Sequence, residues 1–143
     1  MAITQAICNS YKQEILSGIH LSSHTYKMAL FTNSATLSKA TTTYTGQSGE
    51  VSSSGTNYVT GGATLAGFST SLDTDTAILT FTSPVTWTTA TFTARGALIY
   101  NSTLSGKNAI AVIDFGSDIT ATNGTFTVTL PAPAASTGLI RIG

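Results

Sequence analysis

Charged side chains are scarce in this chain of 143 residues: 8% are Asp, Glu, Lys or Arg, against about 25% in an average soluble domain. The six basic and six acidic residues cancel to a net charge of zero. A nucleic-acid-binding protein needs a concentrated basic face to neutralise phosphates. Cations scattered from Lys12 to Arg141 do not form one, so we expect no nucleic-acid partner.

Cysteine and long apolar runs are also missing. Cys8 is the only cysteine, which excludes an internal disulfide and a cysteine-built metal site. No apolar run approaches the ~20 residues that a membrane-spanning helix requires. Residues 1–10 lack the charged start and apolar stretch of a signal peptide. We therefore expect no membrane partner and synthesis in the cytoplasm.

Catalytic and metal-binding motifs are absent as well. His20 and His24 stand four residues apart in a Ser-rich turn, and without a nearby third ligand they do not predict a zinc site, so we interpret both as solvated loop residues. Asp114 and Asp118 flank Gly116 at the end of a predicted strand, where capping of a turn is the favoured interpretation over cation binding. No G-x-S-x-G motif occurs, and Glu14 and Glu50 show no sign of a shared cleft. We expect no cofactor, no metal and no enzymatic activity.

What the chain has in excess is hydroxyl groups. Its 28 Thr and 17 Ser residues supply most of the polar side chains. Threonine is β-branched and fits the pleated surface of a strand, with its hydroxyl facing water. The composition therefore favours a β protein whose solubility depends on hydroxyls rather than on charges.

The amino-terminal segment is the one predicted helix. Ile3, Ile7, Tyr11 and Ile15 recur every four residues, which predicts an amphipathic helix over residues 3–17, with Gly18 as its C-cap. A helix of this length is marginal on its own. Its apolar stripe is expected to pack on its own β domain, with docking on a neighbouring subunit as the alternative.

The next segments predict one strand and one long loop. Residues 25–32 carry bulky side chains on both faces, which is typical of a strand covered on both sides. Residues 33–60 lose this periodicity, and Tyr44 and Tyr58 are among their few anchors. Long loops without secondary structure often work as arms or binding loops. We therefore predict an extended arm or loop over about residues 37–57.

Residues 61–143 form the predicted main β region. Short apolar and alternating runs, separated by turn signals, predict strands at 63–72, 76–82, 86–93, 97–100, 109–115, 124–130 and 139–142. Such a series without alternating helices is typical of an antiparallel β-sandwich, jelly-roll-like or barrel. The sequence thus predicts a single domain over residues 1–143: an all-β fold preceded by one amphipathic helix.

Two arginines stand among apolar residues. Arg95 lies between two apolar stretches, and Arg141 lies within the closing strand. An arginine in such a setting pairs with a carboxylate, backbone carbonyls or a partner chain. At the closing strand, an edge charge that discourages aggregation explains Arg141 equally well.

Six sequence segments carry a resemblance to a known family. They are AITQAICNS at 2–10, YKMALF at 26–31, YVTGGATL at 58–65, TARGALIYN at 93–101, AVIDFG at 111–116 and LIRI at 139–142. With them the chain resembles small virion structural proteins of tailed bacteriophages, known mainly from environmental and cyanobacterial phages.

The resemblance implies a role in the virion, as a head decoration or cement protein on the capsid surface. Its partners would be the major capsid protein and copies of itself, as a homotrimer, after synthesis in the host cytoplasm. We expect the helix stripe or segment 37–57 to mediate assembly. The candidate interface residues are Ile3, Ile7, Tyr11, Tyr44, Tyr58, Arg95 and Arg141.

Two alternatives remain. One is a tail, neck or fibre-attachment component of the same particle. The other is a carbohydrate-binding β-sandwich module, in which Tyr44, Tyr58, Trp87 and Tyr100 would be stacking platforms, although the single tryptophan is more typical of a core anchor.

Overall fold

The computed structural model describes residues 2–134 and 136–143. It is mostly β, with antiparallel sheets and one short helix, as the sequence predicts. The elements in chain order are β1 (Ala6–Ile7), α1 (Asn9–Leu16), β2 (Tyr26–Phe31), β3 (Ala63–Thr64), β4 (Phe68–Asp73), β5 (Thr76–Phe81), β6 (Val85–Asn101), β7 (Ala109–Val128) and β8 (Ile140–Ile142).

A five-stranded sheet in the order β1-β7-β6-β2-β3 contains most of the core. At its centre, β2 pairs antiparallel with the second half of β6, from Tyr26 opposite Asn101 to Phe31 opposite Gly96. Four consecutive β2 residues, Met28 to Phe31, have no exposed surface. The prediction of a strand at 25–32 that is covered on both faces is therefore confirmed.

A three-stranded sheet in the order β4-β5-β8 packs on this core. The Tyr26 ring of β2 lies 5.5 Å from that of Phe68 in β4 and 5.6 Å from that of Phe81 in β5. Contacts between aromatic rings at such distances stabilise packing beyond the area that they bury. Both sheets are open, with β1, β3, β4 and β8 as their edge strands, so they form no closed barrel.

The helix is shorter than predicted. It begins at Asn9 and ends at Leu16, because the preceding residues use their backbone groups to pair with other segments. The Thr4 N–H donates to the Leu37 carbonyl, and the Cys8 N–H donates to the Ile110 carbonyl. Tertiary pairing thus overrides the helical period of residues 3–8. The C-cap is Ser17, one residue before the predicted Gly18, which follows it in the left-handed conformation with φ +69°.

Predicted strands merge into one long hairpin. The runs predicted at 86–93 and 97–100 are both parts of β6, and those at 109–115 and 124–130 are both parts of β7. Four irregularities interrupt the β6–β7 register. Such bulges bend a strand without ending it, and periodicity alone reads each bend as a boundary. The reverse occurs at 63–72, where Gly67, with φ +78°, separates β3 from β4.

Segment 37–57 contains no helix or strand, and it lies against the domain along its length. Leu37 and Val51 are buried, and isolated bridges join Phe31 to Glu50 and Thr43 to Asn108. The segment is therefore a packed loop and not a projecting arm. Its apolar anchors Leu37 and Val51 pack inside the protomer, so they are not exposed to a neighbouring subunit.

Candidate interaction surface

The outer half of the β6–β7 hairpin carries a row of exposed threonines that we call the threonine face. Its members alternate with the buried side chains of Trp87, Phe92 and Phe126. They are Thr86, Thr88, Thr91, Thr93, Thr120, Thr122, Thr125 and Thr127. Residues 85–94 and 119–129, which build this face, include no charged residue. The result is a neutral surface of hydroxyl and methyl groups.

Hydrogen bonds order part of this face. Thr86 lies opposite Thr127, and Thr93 lies opposite Thr120. The hydroxyl oxygens of the second pair are 2.8 Å apart, and those of the first are 3.4 Å apart. Cross-strand threonine pairs of this kind stabilise a sheet. They also fix the positions of the methyl groups that a partner surface would contact.

An apolar groove runs between α1 and the three-stranded sheet. It consists of two adjoining cavities of about 250 and 420 Å³ that share Tyr11, Ile15, Ile140 and Ile142 in their walls. Large apolar side chains stand exposed beside it. Leu16 is 88% exposed, Leu72 is 71% exposed and Ile142 is 54% exposed. Contiguous exposed apolar surface of this kind marks interaction sites.

Buried polar side chains meet beneath the groove. The two hydrogens of the Asn101 side-chain amide face two acceptors, because its Nδ2 lies 3.1 Å from Nδ1 of His20 and 2.8 Å from Nδ1 of His24. The Thr103 N–H donates to Asn101 Oδ1, which fixes the orientation of the amide. Both Nδ1 atoms must then accept, so both histidines carry their hydrogen on Nε2. The sequence interpretation of two solvated histidines is therefore wrong for His20, whose side chain is 3% exposed.

Glu14 faces His20 from the helix. Its Oε2 lies 3.5 Å from His20 Nε2 and accepts a hydrogen bond from the Asn108 side-chain amide. Burial lowers the pKa of His20 below its ordinary 6.5, although Glu14 raises it and His24 lowers it further. Desolvation is the largest cause, because burial penalises the charged imidazolium. The groove floor is therefore neutral at His20.

A second polar cluster anchors the packed loop. Glu50 accepts hydrogen bonds from the hydroxyls of Tyr44 and Tyr58, both at 2.8 Å, and from the Gly61 N–H at 2.7 Å. The Tyr58 hydroxyl also accepts from the Leu30 N–H of the central strand at 2.9 Å. Burial and the Glu50 carboxylate raise the pKa values of both tyrosine hydroxyls. Together these hydrogen bonds fix the loop on the sheet.

The predicted candidate residues occupy different environments. Tyr11 and Ile3 are buried in the core and Ile7 is partly buried against it, while Tyr58 is 2% exposed. Tyr44 stacks on Tyr100, with ring centroids 4.4 Å apart. Ile7 and Tyr11 nevertheless line one cavity of the groove, together with Arg141, whereas Ile3, Tyr44 and Tyr58 pack elsewhere within the protomer. Arg141 is exposed on the edge strand β8.

Arg95 meets a carboxylate of its own chain. Its Nε donates to Asp114 Oδ1 at 2.9 Å, and the same oxygen accepts from the Gly116 N–H. The Arg95 hydrogen bond, followed by that of Gly116, holds the pKa of Asp114 below its usual 3.8. The pairing of Arg95 with a carboxylate agrees with one of the interpretations from sequence, whereas Asp114 lies within β7 and not in a turn.

Three of the four aromatic platforms expected for sugar stacking are buried. Tyr58, Trp87 and Tyr100 are each at most 6% exposed. The Tyr58 ring packs against Trp87 and Phe92 of the hairpin.

The Cys8 thiol is buried. Burial raises its pKa to about 11, which leaves it unreactive.

Among residues 2–134 and 136–143, no three His, Cys, Asp or Glu side chains stand close enough to hold a metal ion. No helix in the described part of the chain has the length and apolar character to cross a membrane. The features that stand out are the threonine face and the groove, which are suited to contact with another macromolecule.

Sequence reasoning missed two of these features. The Asn101 contact to both histidines joins positions 77 and 81 residues apart, and its one local signal is a polar residue at the end of the apolar run 97–100. The groove arises because the short helix and β8 leave space between them. Strand alternation could predict that Leu72 is exposed, but it could not predict which residues lie near it.

Comparisons with known proteins give no match: no family model, no curated protein and no solved structure matches this chain.

Proposed function

We propose that this chain is a virion structural protein, a head decoration protein that binds the outer capsid lattice of a tailed bacteriophage and stabilises it. Its partners are the major capsid protein and copies of itself, arranged as a trimer, and it performs no catalysis. The observation that carries the proposal is the threonine face, an exposed β surface that includes no charged residue.

A neutral hydroxyl surface suits broad attachment to a shell. Burying a charged group against a partner costs desolvation energy unless the charge is paired, and interface cores are depleted in charged residues. The threonine face avoids this cost, while its hydroxyls can still pair with polar groups of a partner. Repetition over a lattice then converts modest contacts into stable attachment.

The groove beside α1 offers a second contact for the shell. Its apolar walls and the exposed side chains of Leu16 and Ile142 can bury a short apolar segment of a partner. Lys12 and Arg141 line the same cavity, so that segment would fit best with an acidic flank. In this arrangement the threonine face supplies area and the groove supplies an apolar anchor.

Particle location is the decisive measurement. Electron microscopy of the intact particle, with the chain labelled, is expected to show it in many copies over the head. A few copies at one vertex would overturn the proposal in favour of a tail or neck component. Absence from purified particles would overturn both.

A charge placed on the threonine face tests the contact itself. Thr93→Lys is expected to weaken binding to empty shells at least tenfold, because the ammonium must be desolvated without a partner. Thr45→Lys, at an exposed position in the packed loop, is the matched control and is expected to bind like wild type. Equal binding of both variants would remove the threonine face from the proposal, provided that circular dichroism shows both to be folded.

A further inference from the structure

The strand β4 lies at an open sheet edge. The order β4-β5-β8 leaves the side of β4 opposite β5 without a neighbouring strand in the described chain. The four edge strands differ in length: β1 and β3 have two residues, β8 has three and β4 has six. Among these four terminal strands, only β4 is long enough to serve as a template for another strand.

Residues 68–72 of this edge carry none of the usual protective devices. Residues 68–72 include no charge and no proline, and the register with β5 runs unbroken from Phe68 to Asp73. Edge strands in monomeric proteins are commonly protected by charges, prolines or bulges that discourage pairing with another chain. Asp73 is the one charged residue of β4 and stands at its end, so residues 68–72 remain open to pairing.

The hydrogen-bond pattern shows which groups point outward. The Thr82 N–H donates to the Gly67 carbonyl at 2.9 Å, so this pair is hydrogen-bonded. Because such pairs alternate along an antiparallel ladder, Ser69 and Ser71 also bond to β5. The N–H and C=O groups of Phe68, Thr70 and Leu72 then point away from β5, toward the open edge.

These outward groups are self-complementary. We infer that β4 pairs antiparallel with β4 of a second copy of this chain, with Thr70 on the two-fold axis. In that register Thr70 pairs with Thr70 of the second copy, and Phe68 pairs with its Leu72. Each outward N–H and C=O meets a partner, and the two three-stranded sheets become one continuous sheet.

The side chains fit the same register. Phe68, Thr70 and Leu72 lie on one face of the sheet, and Leu72 is 71% exposed in the protomer. Pairing sets Leu72 beside Phe68 of the second copy, where an apolar cross-strand pair stabilises the contact. Asp73 falls opposite Gly67 of the second copy, so no two like charges meet. The contact is isologous, as a two-fold axis requires.

This pairing concerns copies of the chain in solution and does not depend on the proposed capsid role. Native mass spectrometry and light scattering of the full chain are expected to show a dimer, or a hexamer if a three-fold contact is also present. If only a monomer is observed, or a trimer without any dimer or hexamer, the inference is overturned. Either outcome leaves the particle location, and with it the proposed function, to be decided separately.

Two variants at the axis test which edge is used. Thr70→Pro removes an outward N–H that β5 does not need, and Thr70→Lys brings two ammonium groups together at the axis. Both are expected to weaken dimerisation at least tenfold, whereas Thr45→Lys is expected to leave it unchanged. If Thr70→Pro fails to fold, Thr70→Lys still decides. Dimerisation that survives a folded Thr70→Lys variant would overturn the inference.

A cross-link tests the register. Hydrogen-bonded antiparallel partners have Cα atoms about 5.5 Å apart, within the span of about 4.4 to 6.8 Å that a disulfide bridges. Thr70→Cys is therefore expected to form an intermolecular disulfide under mild oxidation. Leu72→Cys is the control, because its counterpart would lie about 13 Å away along the paired strands. Efficient cross-linking of Leu72→Cys without that of Thr70→Cys would overturn the register.

Discussion

The side-chain amide of Asn101 donates to Nδ1 of His24 across 77 residues of sequence, at 2.8 Å. The second amide hydrogen faces Nδ1 of His20, so one buried amide joins the turn after α1 to the end of β6. The arrangement requires acceptors at both Nδ1 atoms. At His20 it therefore requires an unprotonated Nδ1.

Acidification is expected to destabilise the fold through His20. The pKa of His20 is below 6.5 in the folded chain, so the unfolded chain binds more protons below pH 6.5. The contribution of His20 to the free energy of unfolding is fully present above pH 6.5. It is lost as the pH falls from 6.5 toward the pKa of His20 in the folded chain. Urea unfolding at pH 7.5 and 5.5 is expected to give a lower free energy at pH 5.5.

The variant His20→Gln isolates this contribution. Its side-chain oxygen can accept from Asn101, and it does not titrate. The difference in unfolding free energy between pH 7.5 and 5.5 is expected to shrink relative to wild type. An undiminished difference would assign the pH dependence to other groups.

Tyr58 is expected to contribute more to stability than Tyr44, although both donate to Glu50. The Tyr58 hydroxyl also accepts from the N–H of Leu30, a residue of β2 with no exposed surface. Tyr58→Phe leaves that N–H without its acceptor, which costs about 1 to 3 kcal/mol. Tyr44→Phe leaves a carboxylate oxygen that water can reach, and it is expected to cost less. Thermal unfolding of both variants checks the order, and an equal or reversed order would contradict it.

Gly62 is expected to tolerate no side chain. It has φ +83°, and a Cβ at this position would overlap the Met28 carbonyl and lie 2.7 Å from the Ala29 Cα. Since β2 is buried, its backbone cannot move away. Gly62→Ala is expected to lose more than about 3 kcal/mol, or to prevent folding, through combined strain and overpacking.

Gly55 is the matched control for Gly62. It has φ +72°, but an added Cβ would meet no atom within 4 Å. Gly55→Ala is expected to cost only the backbone strain, about 1 kcal/mol. Soluble expression and urea unfolding compare the two variants. Similar losses in both would show that conformation, and not the close approach to β2, controls Gly62.

Local pattern was sufficient to predict much of the fold and little of the candidate surface. Alternation located β2 and most of the later strands, because one buried face imposes a period of two on the sequence. The same rule placed threonines outside and Trp87 inside. It could not show that β6 and β7 are continuous, since a bulge and a strand end give the same local signal. Nor could it show that the anchors of segment 37–57 pack within the chain.

The sequence by itself determined an all-β protein whose polar surface consists mainly of hydroxyl groups and not of charged groups. Composition and period are local properties, and every residue contributes to them independently. Only the tertiary structure decided that residues 3–8 are extended, that Asn101 meets both histidines and that β4 remains at an open edge. These outcomes depend on which strand lies beside which, and strand order follows from packing of the whole chain rather than from any single segment.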